Sequence, residues 1–317
     1  MNVLVTGGAG FIGSHTVERL LRDGAQVTVL DDFNDFYAPA IKRANVAAFG
    51  GKATVVEGDI RDRAIVDRVL DEGEFDLVIH LAARAGVRPS ITEPELYMST
   101  NITGTYYLLE AVRRNKVPRF VFTSSSSVYG INQKVPFAET DLIVNTISPY
   151  AMTKMAGEQL CSNYTNLYGI RTVCLRLFTV YGPRQRPDLA ISKFTRLMRE
   201  GKPVPRYGDG STARDYTYID DIVDGIMAAT RYDGALFEIF NLGGSQSTTL
   251  SELITAVERA LGVTAEIENL PPQPGDVPRT FADVAKAHRL LGYAPGTPIS
   301  EGVPKYIAWH LNCARPG

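Results

Sequence analysis

The sequence predicts an α/β fold in which a doubly wound parallel sheet carries a smaller C-terminal domain. In the first half of the 317-residue chain, apolar runs of strand length alternate with patterns typical of helices. These runs are apolar at nearly every position, as expected for strands that helices cover on both faces. After Tyr181 the runs become shorter and Gly, Pro and Arg become frequent, which indicates a second and less regular unit.

The strands predicted in the first half start with the run NVLVT and include QVTVL, FDLVIHL, RFVFT and TVCLRL. Helical patterns separate them, and the two longest cover residues 96–115 and 149–168. In chain order, the predicted strands are 2–6, 26–30, 53–56, 75–81, 119–123 and 172–177, and a helix is expected at 14–23.

The second half keeps helical patterns, but no clean linker precedes it. Residues 1–180 are therefore predicted to form one domain and residues 181–317 a second, with chain crossings between the two. In this second half we expect helices at 220–230, 250–261, 284–291 and 304–311.

Composition and charge argue against several classes of protein. The 33 Lys and Arg against 35 Asp and Glu leave a formal net charge of -2, so no basic surface for nucleic acid is expected. The cysteines, Cys161, Cys174 and Cys313, match neither a zinc spacing nor a disulfide framework. No segment approaches the roughly 18 apolar residues of a membrane span, and no signal peptide is recognised. We therefore expect a cytoplasmic protein without a metal site.

Glycines cluster between the first strand and the first helix. Gly8, Gly10 and Gly13 fit the pattern G-x-G-x-x-G, and Gly7, Gly10 and Gly13 fit the related G-x-x-G-x-x-G. Glycines let the backbone turn tightly and approach a diphosphate, whose charge the helix N-terminus favours. A glycine turn that serves packing alone is the alternative, but the required strand and helix flank this one. The segment predicts a dinucleotide-binding site of the Rossmann type.

An acidic pair follows about 20 residues after the glycines, where an acid can bind the ribose hydroxyls of adenosine. Because Asp31 and Asp32 would repel a 2′-phosphate, NAD is preferred over NADP; a solvated acidic pair is the alternative. Residues after the third and fourth strands would flank the adenine and pass close to the cofactor. The predicted cofactor site comprises Gly7, Gly10, Phe11, Ile12, Gly13, Asp31, Asp32, Asn34, Asp59, Ile60, Leu81, Ala82 and Ala83, together with Tyr150 and Lys154.

The segment SPYAMTK places Tyr150 four residues before Lys154, on one face of a helix. A phenol has a pKa of about 10, but an adjacent ammonium and the nicotinamide cation would lower that pKa and make it a better base. The fifth strand ends in four serines, of which Ser125 can donate to the same substrate oxygen. Surface neighbours and turn serines are the alternatives for each part alone. Together the residues predict a proton-transfer group, in which Lys154 also holds the nicotinamide ribose.

With GGAGFIG, Asp31, the serine run and the pair Tyr150 and Lys154, the chain resembles the extended short-chain dehydrogenase/reductase family over nearly its whole length. The resemblance implies that Ser125, Tyr150 and Lys154 are the catalytic set and that NAD stays bound through the cycle. In this family the tyrosine removes a proton from a sugar hydroxyl as a hydride leaves the same carbon for NAD. The keto sugar then turns over, and the hydride returns to its other face.

Two positions in the serine run bear on the reaction. The family's nucleotide-sugar dehydratases carry an Asp-Glu pair where this chain has Ser126 and Ser127, and related decarboxylases carry Glu at the second position. Elimination of water needs an acid and a base beyond the tyrosine, and hydroxyls are poor substitutes. The resemblance therefore implies an NAD-dependent isomerase that epimerises a UDP-sugar at C4.

Segments of the second half resemble UDP-glucuronate 4-epimerases, namely residues 178–190, 207–210, 213–221 and 275–278. The likeness implies that Arg214 binds the nucleotide diphosphate and that Asp276 accepts from the uridine ribose. Thr179 stands where UDP-galactose 4-epimerases have Asn. The family often has Arg at the position of Gln273, which puts one ribose or phosphate contact in question. The predicted substrate site comprises Arg88, Ser126, Ser127, Thr179, Arg186, Arg214 and Asp276.

A glucuronate substrate carries a hazard, because its C4 ketone is a β-keto acid. Such an acid loses carbon dioxide when the bond to its carboxylate stands perpendicular to the carbonyl plane. We hypothesise that Ser127 and Thr179 hydrogen-bond the C6 carboxylate and hold it away from that orientation.

Three alternatives remain open. A 4-epimerase for a neutral sugar such as UDP-glucose would differ only in what faces C6. A non-catalytic dinucleotide sensor is disfavoured because Ser125, Tyr150 and Lys154 are all present. A reductase that releases its cofactor is disfavoured because the acidic pair suits retained NAD.

The family also commonly forms homodimers through a four-helix interface, which here implies the helices at 96–115 and 149–168.

Overall fold

A computed structural model describes residues 1–271 and 277–313. Strands and helices alternate along most of the chain. The strands are β1 (Asn2–Thr6), β2 (Gln26–Asp31), β3 (Thr54–Glu57), β4 (Leu77–His80), β5 (Arg119–Ser125), β6 (Arg171–Leu177), β7 (Thr179–Tyr181), β8 (Val204–Tyr207), β9 (Ala213–Tyr218), β10 (Phe237–Leu242), β11 (Ser247–Thr249) and β12 (Ile267–Leu270). The helices are α1 (Phe11–Arg22), α2 (Pro39–Ala47), α3 (Arg63–Glu72), α4 (Val87–Thr92), α5 (Pro94–Met98), α6 (Thr105–Arg114), α7 (Pro149–Tyr168), α8 (Ala190–Arg199), α9 (Ile219–Thr230), α10 (Leu250–Leu261), α11 (Ala285–Leu291) and α12 (Ile299–Cys313).

The largest sheet has seven strands in the order β10-β6-β5-β4-β1-β2-β3, and all its neighbours are parallel. The chain winds from β1 towards β3 and then from β4 outwards in the opposite direction. The predicted doubly wound parallel sheet is thus confirmed. The order reverses between β1 and β4, which is where open sheets of this kind bind ligands at the carboxyl ends of their strands.

Apolar side chains cover both faces of this sheet. Along β1, Val3 and Val5 join one buried cluster, whereas Leu4 joins the cluster on the opposite face. On β5, Val121 and Phe120 divide between the faces in the same way. Alternate side chains of a strand point to opposite faces, so a strand buried on both sides must be apolar throughout. This is why the strands appeared in the sequence as continuous apolar runs.

The helix expected at residues 96–115 is interrupted, which corrects that prediction. A π-helical turn, Ser99–Gly104, lies between α5 and α6. In this turn the side chain of Asn101 bonds to the backbone of Arg84 and to the hydroxyl of Thr153. Because these partners come from distant parts of the chain, the local periodicity did not reveal the interruption.

The second half contributes two small sheets, one of β11, β9 and β7 and one of β12 and β8, and also strand β10 of the large sheet. We did not expect β10 from the sequence. Its place beside β6 means that the chain returns to the large sheet after residue 181, while the division at residue 180 stays a prediction.

Two other predictions concern single residues. Cys161 and Cys174 are buried free thiols. Gln273, Asp276 and the side chain of Cys313 lie outside the part of the chain that the structure describes. Among the helices described, none has the combination of length and apolar character that crossing a membrane requires.

Candidate active site

A cavity of about 470 Å³ opens at the carboxyl ends of the large sheet, where the strand order reverses. It collects the predicted residues from all along the chain. The predicted site residues that line it are Gly7, Gly10, Phe11, Ile12, Gly13, Asp31, Asp32, Asn34, Asp59, Ile60, Leu81, Ala82, Ala83, Ser125, Ser126, Ser127, Tyr150, Lys154, Thr179, Arg186 and Arg214. Arg88 is not among the lining residues, and its guanidinium lies 5.3 Å from the ring centroid of Tyr207.

The glycine turn between β1 and α1 has room for backbone only. Gly7 has a φ of +73°, and a Cβ there would lie 2.6 Å from the backbone nitrogen of Ala82. A Cβ at Gly13 would overlap the carbonyl oxygen of Gly7. The turn therefore packs directly against the segment after β4 and leaves the N-terminus of α1 open to the cavity. Such a cradle fits a dinucleotide diphosphate, because backbone N–H groups and the helix dipole both favour negative charge.

Asp31 lies at the end of β2 with its carboxylate buried beside the glycine turn. Its two oxygens accept hydrogen bonds from the backbone nitrogens of Ala9, at 3.0 Å, and Phe33, at 2.9 Å. Burial raises the pKa of this carboxyl, and the hydrogen bond from Phe33 and the charge of Lys42 oppose that effect. Each oxygen keeps a lone pair for a further donor, as binding of a ribose diol requires.

Tyr150 and Lys154 lie in the first two turns of α7, which the side chain of Ser148 caps by accepting from Ala151 at 3.1 Å. Burial raises the pKa of the Tyr150 phenol, whereas the hydrogen bond with Ser125 and the charge of Arg186 lower it. In the structure the cation that acts on the phenol is thus Arg186. The effect expected from Lys154 stays a prediction.

Lys154 is fixed against the sheet. Its ammonium donates to the carbonyl oxygen of Thr123 on β5 at 2.7 Å and lies 5.1 Å from the ring centroid of Phe122. Burial lowers the pKa of Lys154 from 10.5 to about 8. Ser125, two residues further along β5, accepts from the backbone nitrogen of Ser127 at 3.2 Å. The hydroxyl of Ser125 in turn donates to the hydroxyl of Ser127 at 3.1 Å.

A buried ion pair holds these elements together beneath the cavity. Glu158 of α7 accepts from Arg176 of β6 through both carboxylate oxygens, at 2.9 and 2.8 Å, and from the hydroxyl of Ser124 on β5 at 2.5 Å. Ser124 and Arg176 are cross-strand partners. The triad therefore links the strand that carries Ser125 to the helix that carries Tyr150 and Lys154.

The second half of the chain closes the other side of the cavity. Thr179 begins β7 directly after β6, and Arg214 lies on the neighbouring strand β9. Arg186 forms a two-point ion pair with Asp188, both bonds being 2.9 Å long, and lies 5.3 Å from the ring centroid of Phe36. Hydroxyl and guanidinium groups thus face the serine run across the cavity.

Sequence reasoning missed two cationic residues that line the same cavity, Lys42 and Arg84. Arg84 directly follows the predicted stretch 81–83, so extending that stretch by one residue would have found it. Lys42 lies on α2, where its Nζ donates to the carbonyl oxygen of Asn34 at 3.0 Å. No motif spacing in the sequence marks it.

Comparison with known proteins agrees with this geometry. A family model described as the NAD dependent epimerase/dehydratase family matches residues 3–243. UDP-glucuronate 4-epimerase 3 of Arabidopsis thaliana is 42% identical over 334 residues, which cover 100% of this chain and 78% of the relative. The probable UDP-glucuronate 4-epimerase of Rhizobium meliloti (strain 1021) is 37% identical, with 98% of this chain and 97% of the relative covered.

Two solved structures show the same similarity in three dimensions. UDP-glucuronic acid 4-epimerase from Bacillus cereus, in complex with UDP-glucuronic acid and NAD, has a TM-score of 0.93 and 36% identity, covering 99% of this chain and 100% of that one. UDP-glucose 4-epimerase from Thermotoga maritima, with UDP-glucose, has a TM-score of 0.93 and 35% identity with the same coverage. These matches confirm the resemblance seen in the sequence, and the chain belongs to the NAD-dependent epimerase/dehydratase family.

Proposed function

We propose that this protein is an NAD-dependent 4-epimerase that interconverts UDP-glucuronate and UDP-galacturonate through a 4-keto sugar. The observation that carries the proposal is the meeting of Ser125, Tyr150 and Lys154 in one cavity with the glycine turn. The relatives at about 40% identity include UDP-glucuronate 4-epimerases, and the Bacillus cereus structure holds UDP-glucuronic acid and NAD.

The cofactor would be held by the glycine turn, with its ribose on Asp31 and its adenine near Asp59 and Ile60. When bound, NAD supplies the hydride acceptor for C4 of the sugar and returns the hydride after the sugar has turned. Neither Gly7 nor Gly13 tolerates a side chain, because a Cβ at either position would meet the protein's own backbone, so glycine at both positions preserves the shape of this turn.

The proton at O4 of the sugar would move through Tyr150. The phenol removes the proton as the ketone forms and returns it when the alcohol is restored on the other face. Ser125 would donate to the same oxygen after its hydroxyl turns away from the hydroxyl of Ser127, to which it donates in the structure. Arg186 favours the phenolate electrostatically. Lys154, whose ammonium donates to Thr123, would also hold the nicotinamide ribose.

The hydroxyls of Ser126, Ser127 and Thr179 would face C6 of the sugar, and Arg214 would bind the nucleotide diphosphate. With serines at both positions of the dehydratase acid pair, no second base is supplied for elimination. We infer that Ser127 and Thr179 hold the carboxylate of the keto acid and so suppress decarboxylation. Arg88 and Asp276 keep their proposed substrate roles, and the cavity between the predicted domains 1–180 and 181–317 would be the substrate site.

UDP-glucose is the second candidate substrate, because the Thermotoga maritima UDP-glucose 4-epimerase is as similar in structure. The test is to incubate purified protein with UDP-glucuronate or UDP-glucose, without added cofactor, and to separate the products. We expect conversion of UDP-glucuronate to UDP-galacturonate and little turnover of UDP-glucose. Preferential turnover of UDP-glucose would instead assign the enzyme to the neutral sugar, and no turnover of either would contradict the proposal.

We also propose a homodimer formed through α5, α6 and α7. These helices expose large apolar side chains, with Met98 at 45%, Tyr106 at 39%, Leu167 at 70% and Tyr168 at 50% relative exposure. Burying such a surface against a second copy would remove it from water. Light scattering after size-exclusion chromatography should give twice the chain mass. A cytoplasmic location stays a prediction from the sequence.

A further inference from the structure

Arg84 occupies a distinctive place in the cavity. It lies four residues beyond the end of β4, and β4 and β2 flank β1 on opposite sides. Neighbouring strands are about 4.8 Å apart, so roughly 10 Å separates β4 from β2. Nevertheless Nη2 of Arg84 comes within 3.9 Å of the carboxylate of Asp32, which follows β2. The side chain therefore passes across the carboxyl end of β1, where the glycine turn begins.

The guanidinium of Arg84 is poorly satisfied for a group so deeply placed. Its side chain is 12% exposed, and its Nε is buried without a hydrogen-bond partner among residues 1–271 and 277–313. The contact with Asp32 is long for a hydrogen bond. Arg176 also has one buried nitrogen without a partner, Nη1, but its charge is paired with Glu158 through two short bonds, which Arg84 lacks. Arg84 lines the cavity, so its guanidinium charge is available to an anionic ligand bound there.

The backbone of Arg84 is fixed in position. Asn101, in the π-helical turn, accepts from the nitrogen of Arg84 at 2.7 Å and donates to its carbonyl oxygen at 3.0 Å. The same amide donates to the hydroxyl of Thr153 on α7 at 3.0 Å. The π-helical turn at residues 99–104 thus fixes the position of the Arg84 backbone. A fixed backbone lowers the entropy that the side chain loses on binding a ligand.

We propose that Arg84 is a ligand of the cofactor diphosphate and closes over it from the side opposite the N-terminus of α1. This inference rests on the proposed function, because it assumes that the glycine turn binds a dinucleotide. A planar guanidinium donates two hydrogen bonds to a phosphate and keeps its charge at all physiological pH. The N-terminus of α1 would supply backbone donors to the diphosphate, and Arg84 would supply positive charge to it.

The role follows from the demands of an epimerase. The keto sugar must turn within the cavity while the cofactor remains in place, so the two ligands need separate attachments. A cation that bridges β4 and β2 across the diphosphate would retain the cofactor without contacting the moving sugar. Loss of Arg84 should therefore release cofactor during turnover.

The test measures binding of NAD and NADP to cofactor-stripped protein by calorimetry, for the parent, Arg84→Gln and Arg84→Lys. Arg19→Gln is the matched control, because Arg19 is an ion-paired arginine on α1 that does not line the cavity. We expect Arg84→Gln to weaken NAD binding at least about tenfold, since a charge-assisted hydrogen bond is lost. Arg84→Lys should keep part of the affinity, and Arg19→Gln should bind as the parent does. Circular dichroism checks that each variant is folded.

Two results would overturn the inference. Unchanged NAD affinity in folded Arg84→Gln would show that the guanidinium does not bind the diphosphate, while NAD binding by the parent would leave the proposed function intact. Weakened NADP binding with unchanged NAD binding would assign Arg84 to a 2′-phosphate instead. If the parent itself binds no dinucleotide, the proposed function fails together with this inference.

Discussion

At the scale of single residues, Tyr150 is the proposed acid–base group. Removing its hydroxyl in Tyr150→Phe should lower turnover at least about a hundredfold, because a positioned acid–base group contributes that much or more. Bound NAD, measured by absorbance after denaturation, should remain at the parent level. Tyr168→Phe, on the same helix and 50% exposed, is the control. Substantial activity in Tyr150→Phe would rule out the proposed base.

A substitution at Thr179 tests whether this residue restrains the C6 carboxylate of the substrate. We expect Thr179→Ala to release more UDP-pentose from UDP-glucuronate than the parent does, because the carboxylate of the keto acid loses a hydrogen bond and can rotate. Product analysis by chromatography measures the ratio of pentose to epimer. Ser211→Ala, on an exposed loop, is the control. If the ratio in Thr179→Ala equals that of the parent, Thr179 does not restrain the carboxylate.

The lowered pKa of Lys154 predicts that the free energy of unfolding depends on pH. Burial lowers its pKa from 10.5 to about 8, so between these values the unfolded chain binds more protons than the folded one. The contribution of Lys154 to the free energy of unfolding therefore rises with pH across this window, by up to about 3 kcal/mol. Urea unfolding of the parent and of Lys154→Met from pH 8 to pH 10 measures it. Between pH 8 and pH 10 the difference between the two proteins should change by about 2 kcal/mol in favour of the parent, and a constant difference would contradict it.

At the scale of elements, the ion pair of Glu158 and Arg176 joins α7 to β5 and β6. Arg176→Met should destabilise the protein by about 3–5 kcal/mol, because it leaves a buried carboxylate without its cation. The double variant Glu158→Met with Arg176→Met should recover most of the loss, since it removes both charges. Urea unfolding of the parent and of the two variants measures these losses. Equal losses in the single and double variants would show that packing, rather than charge, causes the effect.

Some of the elements could be predicted from the local sequence and others could not. Strands β1, β2, β5 and β6 were recognisable because burial on both faces demands continuous apolar runs. The π-helical turn at residues 99–104 was not, because the contacts of its side chains, such as that of Asn101 with the backbone of Arg84, lie far away in the sequence. The glycine turn, by contrast, was recognisable, because binding of a diphosphate requires its spacing of glycines. Arg84 carried no such spacing, because its role depends on which strands become neighbours.

At the scale of the whole molecule, the parallel sheet could be predicted from the sequence, but its edge strand β10 could not. Alternation of strands and helices predicted a doubly wound sheet, and right-handed parallel crossovers leave few other arrangements. Strand β10 pairs with β6 over residues that lie more than 60 positions apart in the chain. Such pairing has no local signature, so the sequence suggested chain crossings without showing which segment crosses.

The position of β10 has a consequence for how the protein is made. During synthesis β6 emerges from the ribosome well before residues 237–242, and until they arrive its outer edge has open hydrogen-bonding groups. A fragment that stops at residue 180 would keep that edge exposed permanently, and we expect it to aggregate when expressed alone. Sedimentation of the fragment beside the complete chain would show whether the dinucleotide-binding half depends on a strand borrowed from the other half.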